Sequence, residues 1–214
     1  DVSADVPLTA WSKEVAFDEF ASPPFIWDGR AFVKTDNFAE EEIFDFPEPF
    51  VDQKCYMVAQ EDVGTIPRYI KAKRVDIKAG GSEIDFARSF FLLGLTSKKP
   101  IKVGGASISP YDFMLKVWPN VPSLQEMREL VERKKVHNAH FWAAVDVRGA
   151  SPAGKKITLR ADILFPDQCK INELYPGANY VSYAAGLCAA IFAENIPALS
   201  LKGVYAPEAI GAAE

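Results

Sequence analysis

Residues 139–147 read Ala-His-Phe-Trp-Ala-Ala-Val-Asp-Val, and residues 156–165 read Lys-Ile-Thr-Leu-Arg-Ala-Asp-Ile-Leu-Phe. Both segments alternate between apolar and polar side chains, which is typical of β-strands because successive side chains point to opposite faces. The sequence Gly-Ala-Ser-Pro-Ala-Gly at 149–154 lies between them and carries the glycine and proline signals of a turn. Two long strands around such a loop predict an antiparallel hairpin.

Helices are predicted on both sides of this hairpin. Ser82 is expected to begin the first helix, which ends near Gly94. Ser109-Pro110 marks the start of a second helix, since proline is favoured at the first helical position. A third is predicted from about Ser123 to Lys135, and a fourth, rich in small residues, over 179–194.

Further strands are predicted in the first 80 residues. Residues 25–27 and 31–33 flank Asp28-Gly29, which is a hairpin signal. Residues 54–59 and 69–78 are expected to be longer strands. The rest of 1–50 is rich in aromatic residues and proline and is expected to be irregular, with one helical turn at 13–20.

This order of elements predicts an α+β fold, with a large, mostly antiparallel mixed sheet and helices packed on one face. The 214 residues, 49% apolar and 25% charged, suit a single domain covering 1–214. The last residues, 203–214, form a predicted tail that would not fold alone. The chain does not start with Met, so we expect it to be part of a longer protein.

Composition excludes several classes of function. A net charge of −5 argues against a nucleic-acid partner, which requires a basic surface. No apolar stretch reaches the length of about 20 residues that a membrane helix needs, and the first residues do not resemble a secretory signal. The three cysteines, Cys55, Cys169 and Cys188, are sparse and far apart, which favours a reducing cytoplasm over a disulfide framework.

Motifs for nucleotides and metals are missing. The sequence contains no Gly-x-Gly-x-x-Gly and no phosphate-binding loop, so no cofactor is expected to bind to this chain alone. The two histidines, His137 and His140, are three residues apart in a strand pattern and would point to opposite faces, so no metal site is predicted.

The segment Glu61–Lys71 is the main candidate for a binding site, and we expect it to form a loop at a sheet end. Arg68 offers a planar fork that suits a carboxylate, whereas Lys71 would act as a point charge. Thr65 can donate or accept a hydrogen bond, and Glu61 can pair with an ammonium group. The alternative interpretation is a solvated loop with a surface salt bridge.

Residues 61–69, Glu-Asp-Val-Gly-Thr-Ile-Pro-Arg-Tyr, resemble the Glu-Pro-Val-Thr-Leu-Pro-Arg-Tyr motif of the saccharopine dehydrogenase family. Other segments resemble family motifs in the same order, so that the resemblance runs from about residue 8 to 210. They are Phe46-Pro47-Glu48-Pro49-Phe50, Leu93-Gly94-Leu95, Pro100-Ile101-Lys102-Val103, Ile108-Ser109-Pro110-Tyr111-Asp112, Tyr183-Ala184-Ala185-Gly186 and Gly203-Val204-Tyr205-Ala206-Pro207-Glu208-Ala209.

The resemblance implies a two-part enzyme, similar to saccharopine reductases, lysine 6-dehydrogenases and carboxynorspermidine dehydrogenases. These enzymes form or break a C–N bond by hydride transfer to or from a nicotinamide. One part is a Rossmann domain that binds NAD or NADP, and the other binds substrate and dimerises. This chain resembles the second part without the first, with a fold like the C-terminal domain of glyceraldehyde-3-phosphate-dehydrogenase-like enzymes.

The resemblance also implies roles for particular residues. Four side chains would bind an amino-acid-like substrate: Glu61 at its amine, Thr65 and Tyr183 by hydrogen bonds, and Arg68 at its carboxylate. Gly186 would lie near the cofactor, where its bare backbone lets the nicotinamide ring approach. Lys71 is a weaker candidate for proton transfer, because a catalytic lysine needs a lowered pKa.

Two alternatives from other classes remain open. The first is a non-catalytic assembly module, with its sheet forming a homodimer and the segment near Thr65 only structural. The second is the catalytic domain of another Rossmann-partnered dehydrogenase, of the aspartate-semialdehyde or homoserine type. The absence of a cysteine in a Ser/Asn-Cys-Thr setting counts against the semialdehyde branch.

Overall fold

The computed structural model describes residues 1–48, 50–198 and 202–210. The helices are α1 (Lys13–Ala21), α2 (Asp62–Tyr69), α3 (Ser82–Leu92), α4 (Pro110–Val117), α5 (Leu124–Glu132), α6 (Gln168–Leu174) and α7 (Tyr180–Asn195), with short 3-10 turns at Ile196–Ala198 and Pro207–Ala209. The strands are β1 (Val2–Ala4), β2 (Phe25–Trp27), β3 (Phe32–Lys34), β4 (Glu42–Phe44), β5 (Gln53–Met57), β6 (Lys78–Gly80), β7 (Ile101–Val103), β8 (Ala106–Ile108), β9 (Val136–Ala139), β10 (Trp142–Ala150) and β11 (Lys156–Leu164). Pro49 of the expected Pro-Glu-Pro turn and 211–214 of the expected tail lie outside the described residues.

The fold class is α+β, as predicted, and every strand pairing found in the described residues is antiparallel. The pairings there form five small sheets: β1–β9, β2–β3, β4–β5–β6, β7–β8 and β10–β11. The large sheet expected from the sequence is therefore not assembled within these residues. Most strands are only three or four residues long, which leaves little edge for a neighbouring pair to join.

The predicted central hairpin is confirmed. Strands β10 and β11 pair in register from Trp142–Leu164 to Ala150–Lys156. The β2–β3 hairpin around Asp28-Gly29 is confirmed as well, with Gly29 in the left-handed region at φ 92°. One carboxylate oxygen of Asp28 accepts hydrogen bonds from two backbone amides of the turn, those of Arg30 and Ala31, each at 2.8 Å.

The four predicted helices are present, and three begin at a side-chain cap. Ser109 accepts from the amide of Asp112 at the start of α4, and Ser123 forms a reciprocal capping box at the start of α5. Asn179 caps α7. Helix α3 differs from prediction, because Gly81 occupies its cap position and the Ser82 hydroxyl instead exchanges hydrogen bonds with the backbone of Val2.

Two expectations about the first 80 residues are wrong. Residues 13–21 form a nine-residue helix rather than one turn, because its buried residues Ala16 and Phe17 join the interior. Residues 69–78 do not form a long strand, and only the isolated Trp27–Val75 bridge and the short β6 occur there. The predicted strand overlaps helix α2 at its start, because Tyr69 is the last residue of that helix and Ile70 is its C-cap.

Helix α7 extends from the largest core cluster into solvent. Its first turn is anchored there by Tyr180, which is 1% exposed. Past Ala184 the helix is apolar on every side and yet exposed, with Ile191 51% and Phe192 44% exposed. An all-apolar helix is normally covered, so this end of the fold presents a surface that another element would bury.

In the described ranges, no helix combines the length and the apolar character needed to cross a membrane.

Candidate functional site

The predicted loop at residues 61–71 is mainly a helix. Helix α2 spans Asp62–Tyr69, although Gly64 and Pro67 are turn signals. Its stability comes from tertiary contact, because Val63 is only 1% exposed. The helix packs against β2 and against the 3-10 turn Pro207–Ala209. The prediction of a loop was therefore wrong, because contacts with segments distant in sequence stabilise the helix.

The helix places three predicted binding residues on one face. Glu61 precedes α2, and Thr65 and Arg68 follow at spacings of four and three residues, which bring side chains together on a helix. Glu61 and Arg68 are exposed, and Thr65 is half-buried. Lys71 lies beyond the end of the helix and is exposed. Neither Arg68 nor Lys71 forms a salt bridge within the described ranges, so the alternative interpretation of a surface salt bridge gains no support.

Thr65 connects this face to the far end of the chain. Its hydroxyl lies 3.2 Å from a carboxylate oxygen of Glu208, to which it can donate a hydrogen bond. The other carboxylate oxygen of Glu208 is buried and has no partner among the described residues. A carboxylate oxygen in this position can accept a hydrogen bond from a bound donor. Sequence reasoning included Glu208 in a motif but did not assign it to the site, because only folding brings it to α2.

A second unpredicted carboxylate belongs to Glu19 on α1. Burial, together with a smaller contribution from the negative charge of Glu61, raises the pKa of its carboxyl group to about 7. The group therefore titrates near neutral pH, as a residue that exchanges protons with a ligand does. No local pattern marks Glu19, because its environment comes from the approach of α1 to the start of α2.

The raised pKa of Glu19 predicts a pH dependence of stability. The native state binds this proton more tightly than the unfolded chain, so the free energy of unfolding should fall as the pH rises from about 4.5 to about 7. The half-exposed position limits the effect to about 1 kcal/mol. Glu19→Gln should remove this slope and stabilise the protein at pH 8, as measured by urea unfolding at several pH values. An unchanged slope in Glu19→Gln would show that Glu19 titrates normally.

The other two predicted residues lie on α7, which packs against α6. The ring of Tyr183 is half-buried and lies 5.8 Å from that of Tyr175, so the aromatic pair orients it. Gly186 is exposed, and a Cβ added to it would meet nothing within 4 Å. The structure therefore groups Glu61, Thr65 and Arg68 with Glu208, while Tyr183 and Gly186 belong to a separate helix surface.

An apolar cavity of about 300 Å³ lies between the N-terminal segment, α1 and α3, and none of the predicted site residues lines it. Its walls include Phe17, Phe90 and Trp118. Glu83 also lines it, and burial raises the pKa of this carboxyl group. Because the Tyr180 hydroxyl donates to Glu83 at 2.7 Å, we interpret this carboxyl as a link between α3 and α7.

The histidines do not form a metal centre. His137 lies 2.7 Å from a carboxylate oxygen of Asp5, and His140 packs edge-on against Phe50. No cluster of three potential metal ligands occurs in the part of the chain that the structure describes.

In comparisons with protein-family models and with curated proteins, neither a family model nor a curated protein matches this chain.

Proposed function

We propose that the chain is the substrate-binding and dimerisation domain of a cytoplasmic, NAD- or NADP-dependent oxidoreductase like the saccharopine dehydrogenases. Its substrate would be an amino acid or diamino acid that reacts at a C–N bond. In the complete protein, the small antiparallel sheets would be extended into the larger sheet typical of glyceraldehyde-3-phosphate-dehydrogenase-like enzymes.

One observation carries this proposal. The contact between Thr65 and Glu208 joins two segments that are 143 residues apart in sequence. Both segments belong to motifs that resemble the saccharopine dehydrogenase family. Two motifs at opposite ends of the chain meet at one point of the fold and contribute a hydroxyl and a carboxylate, which is the arrangement expected of a shared binding site.

The charges of this face suit a substrate with a carboxylate and an ammonium group. The exposed guanidinium of Arg68 can form two parallel hydrogen bonds to a carboxylate. One helical turn away, Thr65 and Glu208 offer oxygen acceptors to an ammonium group. Glu61 adds negative charge at the start of the helix. Holding both ends of the substrate would orient its reacting carbon, which contributes to rate by lowering the entropic cost of reaction.

Proton transfer has two candidates, which differ in their environment. Glu19 has a pKa of about 7 and lies close enough to Glu61 to sense its charge. Such a carboxyl group can accept a proton from a substrate ammonium and release it near neutral pH. Lys71 is exposed and lies beyond the end of α2, outside the group formed by Glu61, Thr65 and Arg68. We therefore place Glu19 ahead of Lys71 for this role.

The nicotinamide cofactor does not fit this chain by itself. The sequence has no glycine-rich phosphate loop, so the pyrophosphate of NAD or NADP would be held by another domain of the parent protein. The open surface at Gly186 and the exposed apolar side chains of α7 are suited to contact such a domain. Hydride chemistry belongs to the cofactor, and the role assigned to this chain is to bind and orient the substrate.

The substrate site can be tested by an NMR titration of the chain with L-lysine. We expect saturable shifts of backbone amides in α2 and in residues 205–208. Thr65→Val should weaken binding about tenfold, because the half-buried Thr65 hydroxyl no longer bonds to the Glu208 carboxylate. Arg68→Gln should remove the preference for L-lysine over cadaverine, which has the two amines but no carboxylate.

Arg133→Gln serves as a matched control, because Arg133 is an exposed arginine just past the end of α5 and should not change the titration. The proposal fails if L-lysine leaves α2 and residues 205–208 unshifted. It also fails if cadaverine and L-lysine shift the same amides with the same affinity in the unmodified chain. Either result would favour the alternative that the chain is a non-catalytic assembly module. The exposed apolar surface of the β10–β11 hairpin is the observation that supports this alternative.

A further inference from the structure

The β10–β11 hairpin has two chemically different faces. Residues that pair across the ladder share a face, so the register assigns each side chain to one side. One face is entirely apolar and contains Ala143, Val145, Val147, Gly149, Ile157, Leu159, Ala161 and Ile163. The opposite face contains Trp142, Ala144, Asp146, Arg148, Ala150, Lys156, Thr158, Arg160, Asp162 and Leu164.

The half of the charged face nearest Trp142 packs against the rest of the protein. The guanidinium of Arg160 lies 4.6 Å from the centre of the Phe44 ring, and Trp142 packs against Phe50 with ring centres 5.3 Å apart. The Asp146 side chain is only 21% exposed. In this half the hairpin inverts the usual arrangement, in which the apolar side of a strand pair packs on its own domain, and the other half is exposed on both faces.

The apolar face points into solvent as a consequence. Leu159 is 63% exposed, Val145 and Val147 are each 55% exposed, and Ile163 is 47% exposed. A contiguous apolar surface of this kind marks an interaction site. An isolated two-stranded hairpin is also only marginally stable in water, so cover on this face would stabilise the hairpin itself.

We propose that this apolar face is the contact between two copies of the chain. The assignment rests on the homodimer in the proposed function and names its surface. In the arrangement we infer, the two hairpins stack face to face about a two-fold axis, where the same patch serves both copies.

Charge favours a second copy as the occupant. The chain carries a net charge of −5, so self-association requires a surface without like charges facing each other. The apolar face has no charged residue, and four of the five charged residues on the other face form the pairs Asp146–Arg148 at 3.2 Å and Arg160–Asp162 at 2.9 Å. A charge-free face is complementary to itself.

The area is sufficient for a dimer of modest stability. Burying the exposed part of these eight residues on each copy removes on the order of 1,000 Å² from water, which is the size at which specific protein interfaces begin. We therefore expect a dimer whose dissociation can be measured by dilution.

Sedimentation velocity of the chain and of two matched variants tests the interface. The neighbours Thr158 and Leu159 lie on opposite faces of β11, and both are exposed, so a glutamate at either position should leave the monomer folded. We expect a dimer for the unmodified chain and for Thr158→Glu. Leu159→Glu should weaken association on the order of 100-fold or more, because each copy would bury an unpaired charge. Circular dichroism checks that both variants retain the fold.

Three outcomes would overturn the assignment. A monomer at every concentration tested would mean that another domain or protein covers the face. A dimer that persists in Leu159→Glu would place the contact elsewhere. Loss of the dimer in Ile191→Glu but not in Leu159→Glu would assign it to α7, the other exposed apolar surface.

Failure of the interface can be separated from failure of the substrate site. The L-lysine titration is repeated on monomeric Leu159→Glu, whose substitution lies outside α2 and the 205–208 segment. If L-lysine shifts amides in α2 but no hairpin-dependent dimer forms, only the proposed interface is contradicted. If a hairpin-dependent dimer forms but L-lysine causes no shifts, only the proposed substrate site is contradicted.

Discussion

Replacing Gly177 by alanine should lower the free energy of unfolding by about 4 kcal/mol. Gly177 has φ at 91°, in the region that side-chain-bearing residues rarely occupy. An added Cβ would also overlap the carbonyl oxygen of Leu124 and would lie 2.7 Å from its carbonyl carbon. Both atoms belong to the backbone at the start of α5, so the overlap cannot be relieved by rotating a side chain.

Chemical denaturation measures this loss, and Gly186→Ala provides the matched control. Gly186 lies within α7, where nothing approaches an added Cβ. Alanine is favoured over glycine inside a helix, so this substitution should raise stability by up to about 1 kcal/mol. Equal destabilisation by the two substitutions would contradict the close approach of the α6–α7 connection to Leu124.

Gln168→Leu is the second substitution expected to have a large effect. The Gln168 side chain is fully buried, and its amide bridges two backbone groups: it donates to the carbonyl of Ala178 at 2.7 Å and accepts from the amide of Tyr180 at 2.9 Å. Leucine has a similar volume but can make neither bond. Leaving two buried backbone groups without partners should cost about 3 kcal/mol in thermal or urea unfolding.

Gln125→Leu is the control for this substitution. Gln125 is exposed on α5, and its amide contacts Glu129 at 3.2 Å. Water can replace this bond, so the free energy of unfolding should change by less than about 0.5 kcal/mol. If Gln168→Leu were as mild as Gln125→Leu, water would have to reach the start of α7, which contradicts the packing there.

Gly177 and Gln168 bear on the proposed function because they position the start of α7. Gly177 allows the connection from α6 to pass directly over α5, and Gln168 ties α6 to the first turn of α7. The same helix carries Tyr183 and Gly186, the residues proposed to face the substrate and cofactor. A parent enzyme with Gly177→Ala should therefore lose both stability and activity, whereas Arg133→Gln should affect neither.

The sequence allowed the local elements to be predicted wherever local chemistry was sufficient. The alternating pattern of 139–147 and 156–165 identified the long hairpin, and serine or asparagine caps located the starts of α4, α5 and α7. Such signals work because a cap or a strand pattern acts over a few neighbouring residues. Helix α2 was missed because the burial of Val63 outweighs the turn signals of Gly64 and Pro67.

The candidate site was recognised only in part for a similar reason. Glu61, Thr65 and Arg68 are close in sequence, so a motif was enough to group them. Glu19 and Glu208 reach the same region from other elements, and the pKa of Glu19 depends on how α1 is buried. Neither the burial of Glu19 nor a contact between residues 143 positions apart produces a pattern in the neighbouring sequence.

The order of residues alone established the α+β class, the hairpin and the starts of α4, α5 and α7, because each follows from propensity, capping or side-chain periodicity. Tertiary structure alone decided which face of the hairpin is exposed, which carboxylates join Thr65, and how the strands divide among small sheets. Periodicity separates the two faces of a strand pair, but it does not specify which face packs on its own domain. That choice depends on contacts between distant segments, such as Arg160 with Phe44.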